Sequence, residues 1–175
     1  MSLVINLIGG PGAGKSTTAA GLFFLMKIAG LKVELVTEFA KELSYDKNWS
    51  DLKRQLYVLA EQERRQRRLV GQVDYIITDS PLLTSIAYSD ADHWMAVDFA
   101  AHNMFAQYNN VNIVLKRVKP YREYGRNQTE DEAKQLDAVL TEGVWKDEPI
   151  ELIVSGDGTA PQVIFDHLRQ TRLMF

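Results

Sequence analysis

A phosphate-cradling turn near the start constrains this chain more than any other feature. Residues 9–17 read Gly9-Gly10-Pro11-Gly12-Ala13-Gly14-Lys15-Ser16-Thr17, which satisfies G-x-x-x-x-G-K-[ST]. Such a loop works only between a buried parallel strand and a helix. Its neighbours suit both: residues 3–8 are the apolar run Leu-Val-Ile-Asn-Leu-Ile, and residues 17–29 are good helix formers. The glycines let backbone N–H groups converge on an anion with no Cβ in the way. Lys15 adds charge for the β- and γ-phosphates of ATP. Ser16 offers a hydroxyl to a Mg²⁺ ion bridging them, and the helix aims its N-terminus at the anion. Gly10, Gly12, Ala13, Gly14, Lys15, Ser16 and Thr17 are therefore expected to bind ATP. The alternative, a glycine-rich turn matching by chance, does not account for the strand before it and the helix after it.

The 175 residues suffice for one full core and are short for two, so residues 1–175 are expected to form a single domain. With no cysteine there are no disulfides or thiolate zinc sites, and a reducing cytoplasm is the natural setting. His93, His102 and His167 lack ligand spacing and read as ordinary helix residues. Met1-Ser2-Leu3 enters the first strand directly, so no signal peptide or targeting arm is expected. No apolar run approaches the roughly twenty residues that span a bilayer, so no membrane association is expected. A net charge of −3 argues against a surface coated for nucleic acid, while leaving room for a local basic groove.

Along the chain, Gly30 stops the first helix, and residues 32–37 (Lys-Val-Glu-Leu-Val-Thr) read as a second strand. A short helix is expected over 38–43 and a polar loop over 45–50. Ser50 then caps a long helix from 51 to about 70, ended by Gly71. Residues 75–78 form a third strand that ends at Asp79-Ser80-Pro81. A helix over 91–108 places Trp94, Val97, Ala101, Met104, Phe105 and Tyr108 on a core stripe. A fourth strand spans 111–115, and a basic loop spans 116–128. Thr129-Glu130-Asp131-Glu132 is a capping box for a helix to about 142. A last strand covers 150–154 and a last helix 161–172. Alternating strands and helices predict an α/β three-layer sandwich of the P-loop NTPase type. It has about five parallel strands, helices on both faces and an arginine-bearing lid over about 117–128.

Ligands of such sheets sit beyond the carboxyl ends of the strands. Strand one ends in the P-loop, strand two in Glu38, strand three in Asp79, and strand four leads to Arg117, Arg122 and Arg126. Phosphoryl transfer needs a phosphate cradle, a metal, a proton acceptor and cations over the transferring group. Asp79 is expected to join Ser16 in the Mg²⁺ shell; its alternative is a turn aspartate before Pro81. Glu38 is expected to take the proton of an acceptor hydroxyl; its alternative is a solvated glutamate opening a helix. The sequence leaves open which of the two carboxylates is the base. Arg117, Arg122 and Arg126 suit a lid that pairs with phosphate oxygens, the alternative being a solvated basic loop. On the long helix, Leu52, Leu56, Leu59, Ala60 and Val70 share a stripe flanked by Gln55 and Gln62, with Glu63 and Arg67 near its centre. Arg64, Arg65 and Arg68 point outward.

These residues resemble the P-loop kinases of the thymidylate and deoxynucleoside kinase superfamily, a resemblance that implies the strand order 2-3-1-4-5. By that resemblance Glu38 stands where the family keeps its base, and Gln55-Leu56-Tyr57 is similar to its pyrimidine-reading segment. Asp79-Ser80-Pro81 replaces the usual Glu-Arg-Ser or Asp-Arg-Tyr, and Glu38-Phe39 lacks the usual proline. Several stretches resemble a group of small bacteriophage P-loop kinases that includes the 5-hydroxymethyluracil DNA kinases. They are Asn6-Leu7-Ile8-Gly9-Gly10-Pro11-Gly12, Leu35-Val36-Thr37-Glu38-Phe39-Ala40-Lys41, Asp74-Tyr75-Ile76-Ile77-Thr78-Asp79-Ser80-Pro81 and Tyr124-Gly125-Arg126-Asn127-Gln128-Thr129-Glu130. That resemblance implies an ATP- and Mg²⁺-dependent kinase, with the hydroxymethyl group of a modified pyrimidine in DNA as acceptor. Trp49, Gln55, Tyr57 and Arg64 would then contact substrate by stacking, base reading and phosphate pairing. A kinase of a free nucleoside, nucleotide or nicotinamide riboside is the enzymatic alternative. A nucleotide-dependent switch or DNA-binding regulator is the alternative of another class, although the Asn-Lys-x-Asp guanine signature is absent and the chain is small for an oligomeric AAA+ motor. Monomer and homodimer both remain open.

Overall fold

In the computed structural model, residues 2–118, 129–171 and 173 are described. The buried run Leu3–Ile8 forms β1 at the centre of a five-stranded, all-parallel sheet. Its partners are β2 (Val33–Val36), β3 (Tyr75–Thr78), β4 (Asn109–Lys116) and β5 (Leu152–Ser155), in the order β2-β3-β1-β4-β5. The expected fold class and strand order are both present. Val4 pairs with Ile76 on one side and with Asn110 on the other.

Successive residues of β1 serve opposite layers, as the two-residue strand period requires. Leu3, Ile5 and Leu7 pack with α1 (Lys15–Ile28) and α8 (Ala160–Gln170) on one face. Ile8 packs on the other face with Leu59, Val97 and Phe105, where Trp145 is fully buried. Asn6 is the polar exception in this strand. It is 1% exposed, and its amide donates to the Asn110 and Asn112 side-chain oxygens at 3.0 and 2.9 Å. Those two bonds meet the cost of burying it.

The helical layer differs from expectation in several places. α1 begins at Lys15, two residues earlier than read, because the end of the P-loop is already helical. After α2 (Phe39–Tyr45), the expected long helix is two: α3 (Trp49–Leu52) and α4 (Gln55–Arg67). Asn48, not Ser50, caps α3 by accepting from the Asp51 N–H, and Gln55 donates to the Leu52 carbonyl at 2.8 Å across the break. No glycine or proline marks that break, so periodicity runs through it unseen. It also rotates the buried face. Gln55, Val58, Leu59, Gln62, Glu63 and Gln66 are buried, whereas Leu56 is 42% exposed. Three carboxamides thus occupy a face that hydropathy assigns to leucines.

A short α5 (Thr84–Ala87) was not expected. The next helix, α6, spans only Trp94–Phe105, with Val97, Ala101 and Phe105 buried and Trp94 largely exposed. The capping box at Thr129 is formed as read and starts α7 (Glu130–Ala138), but residues Val139–Val144 continue as a π-helical turn. Among the described residues no helix is long and apolar enough to cross a membrane. Arg122 and Arg126, with most of the expected lid, lie outside the described residues.

Candidate functional site

The P-loop joins β1 to α1 beneath a cleft of about 520 Å³. Gly12 and Gly14 hold φ of +83° and +100°, a left-handed backbone that side chains disfavour. At the start of α1, Gly12, Gly14, Lys15, Ser16 and Thr17 line the cleft, whereas Gly10 and Ala13 do not, and the Ala13 N–H donates to the Gly10 carbonyl at 3.2 Å. Lys15 Nζ donates to the Gly9 and Gly10 carbonyls at 2.7 and 3.1 Å. Burial pulls its ammonium below the ordinary lysine value, while Glu38, Asp79 and Asp137 act against that shift.

The order of the sheet brings the predicted carboxylates together. Strands β2, β3 and β1 are consecutive, so Glu38, Asp79 and the P-loop emerge side by side at one edge. Glu38 lines the cleft at the start of α2. Burial raises its carboxyl above the ordinary glutamate value, with Lys15 opposing and Asp79 adding to the rise. Asp79 is 4% exposed, and its Oδ1 is buried without a hydrogen-bond partner. A buried, unsatisfied carboxylate oxygen is costly unless a cation or donor reaches it, so Asp79 and the cleft-lining Ser16 fit the coordination chemistry of Mg²⁺. Among the described residues no cluster of three or more His, Cys, Asp or Glu side chains offers a metal site independent of ATP.

Arg117 lies close to the P-loop through a residue the sequence did not single out. Asp137 on α7 accepts from the Gly10 N–H at 2.6 Å through Oδ1 and from Arg117 Nε at 2.8 Å through Oδ2. Within its helix Asp137 looks like any solvated aspartate; only the packing of α7 over the P-loop gives it partners.

The far half of the cleft is lined by Lys41, Ser44, Tyr45, Lys53, Gln55 and Tyr88. Gln55 was expected there. Trp49, Tyr57 and Arg64 do not line it: Trp49 is 46% exposed, and Tyr57 packs edge-on against Phe39 with ring centroids 5.4 Å apart. Arg64 pairs with Glu61 on the outer face of α4, at 2.7 and 2.8 Å. Lys41 and Lys53 were not singled out, because isolated lysines carry no motif. Among the described residues neither is in an ion pair, whereas the neighbouring Arg54, Arg64, Arg65 and Arg67 each have a carboxylate. Lys41 lies over the Tyr45 ring, 6.0 Å from its centroid.

The backbone is similar to solved nucleotide-binding proteins. A deoxyadenosine kinase from M. mycoides, determined with dCMP and dCDP bound, superposes with a TM-score of 0.67 at 22% identity, covering 95% of this chain and 99% of that one. The same enzyme with dATP bound gives 0.60 at 21% identity. The NadR protein, in complex with NAD and AMP-PNP, gives 0.67 at 13% identity, with 99% of this chain matched to 50% of that one. At such identities the likeness is one of fold. No curated protein matches the sequence. A family model described as an AAA domain matches residues 4–162. The small size of the chain had argued against an oligomeric motor of that name; it does not bear on membership of the family. With the P-loop, the flanking strand ends and nearly the whole sheet inside the matched span, the chain belongs to the AAA domain family.

Proposed function

We propose that this chain is an ATP-dependent kinase that transfers the γ-phosphoryl group to a hydroxyl carried on a pyrimidine, the preferred acceptor being the 5-hydroxymethyl group of 5-hydroxymethyluracil in DNA. The observation that carries the reading is that Lys15, Glu38 and Asp79 follow three adjacent strands, Lys15 and Glu38 lining one cleft and Asp79 buried near both. The P-loop amides and Lys15 hold the β- and γ-phosphates. Ser16 and Asp79 hold Mg²⁺, which neutralises phosphate charge when bound. Glu38 accepts the proton of the acceptor hydroxyl as its oxygen bonds to phosphorus and the bond to ADP breaks. Burial raises the Glu38 carboxyl above the ordinary glutamate value, which makes it a better proton acceptor than an exposed glutamate. Arg117, with Arg122 and Arg126 outside the described residues, supplies positive charge over the transferring group.

On the acceptor side, Gln55 offers a carboxamide edge to a base between Tyr45 and Tyr88. Lys41 and Lys53 favour an acceptor that carries its own phosphate. In this reading Trp49 on α3 and Arg64 on α4, which do not line the cleft, would serve a strand that continues beyond the reacting nucleotide. A second reading, a kinase of a free nucleoside, nucleotide or nicotinamide riboside, is favoured by the likeness to deoxyadenosine kinase and NadR.

Transfer from [γ-³²P]ATP to parallel acceptors separates these readings. Label on DNA containing 5-hydroxymethyluracil, absent from unmodified DNA and free nucleosides, is the expected result. Label confined to a free nucleoside or nucleotide establishes the second reading. Slow ATP consumption without a phosphorylated product points instead to a nucleotide-dependent switch.

A further inference from the structure

Gln62 is 2% exposed on α4, in a place where a leucine would satisfy packing. Its carboxamide is spent on the backbone around the proposed base. Oε1 accepts from the Phe39 N–H at 3.0 Å, and Nε2 donates to the Thr37 carbonyl at 3.3 Å. Those two peptide groups bracket Glu38. Nε2 also lies 3.5 Å from Thr78 Oγ1, which in turn accepts from the Ser80 N–H at 3.1 Å and so spans Asp79. One buried amide therefore ties the end of β2 to the end of β3, just where each strand gives up its carboxylate. At Glu38 the chain leaves the sheet (φ −63°, ψ 116°) and enters α2, so no ladder bond fixes its direction there.

We infer that Gln62 is a positioning residue: by gripping the peptides on both sides of Glu38 it sets the aim of that carboxylate at the acceptor hydroxyl. This rests on the kinase reading above. A carboxamide suits this place because the two flanking groups are one donor and one acceptor, and it answers them from two separate atoms, an oxygen and an NH₂, while remaining uncharged. Asn is one methylene too short to reach from α4. The role is separable from ATP binding, since among the described residues Gln62 makes no hydrogen bond to the P-loop, which follows β1.

The test is a double-mutant cycle with Gln62→Met, which preserves volume, in the native and Glu38→Gln backgrounds. In the native background kcat should fall about 10- to 100-fold, the cost of a misplaced reacting group. The dissociation constant for ATP should stay within about twofold, and in the Glu38→Gln background the further loss in kcat should shrink to about twofold or less. Equal losses in both backgrounds, a parallel loss of ATP affinity, or an unchanged kcat would overturn the inference. Should Gln62→Met lose its cooperative unfolding transition, Gln62→Asn takes its place in the same cycle, uncharged and polar but one methylene short of both peptide groups. Wild-type transfer together with a weakened Glu38→Gln enzyme tests the kinase reading separately. A wild-type chain that transfers to no acceptor removes both proposals, while one that transfers normally and ignores Gln62→Met removes only this one.

Discussion

Glu38 and Lys15 sit in one desolvated cleft, and burial moves them in opposite directions: the carboxyl rises and the ammonium falls. Each is the other's main electrostatic relief. For the proposed reaction, Glu38 works only when ionised. Its raised titration means that kcat/KM falls, as pH is lowered, at a point above the ordinary glutamate range. Glu38→Gln should remove that acidic limb and reduce turnover about 10²- to 10⁴-fold, with ATP binding retained in a calorimetric titration. If Asp79→Asn alone has this effect while Glu38→Gln is mild, the two carboxylates exchange roles. Lys15→Ala should abolish transfer while circular dichroism shows the fold intact; near-wild-type turnover would sink the P-loop assignment.

Between elements, the contacts with most consequence come from side chains that reach across to another helix or loop. Arg65 on α4 holds Glu42 of α2 with two bonds of 2.7 Å and lies over the Phe39 ring at 4.7 Å, bracing the helix that Glu38 opens. Asp137 on α7 does the same for the P-loop, joining the Gly10 N–H to Arg117. Asp137→Ala leaves that N–H and the guanidinium without this acceptor, at a cost of about 1–3 kcal/mol. Thermal unfolding should show a Tm lower by several degrees, and the variant should bind ATP more weakly if the P-loop loses its shape. The break between α3 and α4 belongs to this scale as well. It is made by the Asn48 cap and the Gln55 amide, and it turns Gln55 toward the cleft and Leu56 outward.

Across the molecule, the sheet and the loop after β5 fit against each other at the P-loop. Gly156 lies so close to Ala13 that a Cβ there would overlap the Ala13 carbonyl oxygen. Gly156→Ala should therefore displace the P-loop or the β5–α8 connection, costing about 1–3 kcal/mol or more by overpacking, read as a lower unfolding midpoint in urea. Charge also acts at this scale. Under the proposed reading, a chain with net charge −3 would meet a DNA acceptor through local cations alone, so KM for modified DNA should rise with salt in proportion to the phosphates contacted. KM for a free nucleoside should barely change.

The P-loop, the five strands, the Thr129 capping box, and the strand-end positions of Glu38 and Asp79 were legible in the sequence, because each depends on neighbours in the chain; the strand order was legible only through the family resemblance. A glycine turn needs its strand and helix, a capping box needs residues three apart, and a strand end is where an apolar run stops. Gln55 was legible too, by resemblance. The break before α4, the exposure of Leu56 and Trp94, the linkage through Asp137, the two cleft lysines and the grip of Gln62 were not. Each of these depends on what another element presents after packing: a carboxamide on an apolar stripe or an aspartate on a polar face acquires meaning only from its partner. Sequence by itself determined which groups stand at the strand ends, through local periodicity and the steric demands of glycine. Only the tertiary structure decided how those groups are buried, aimed and braced, because long-range contacts set both the desolvation of Glu38 and the backbone that carries it.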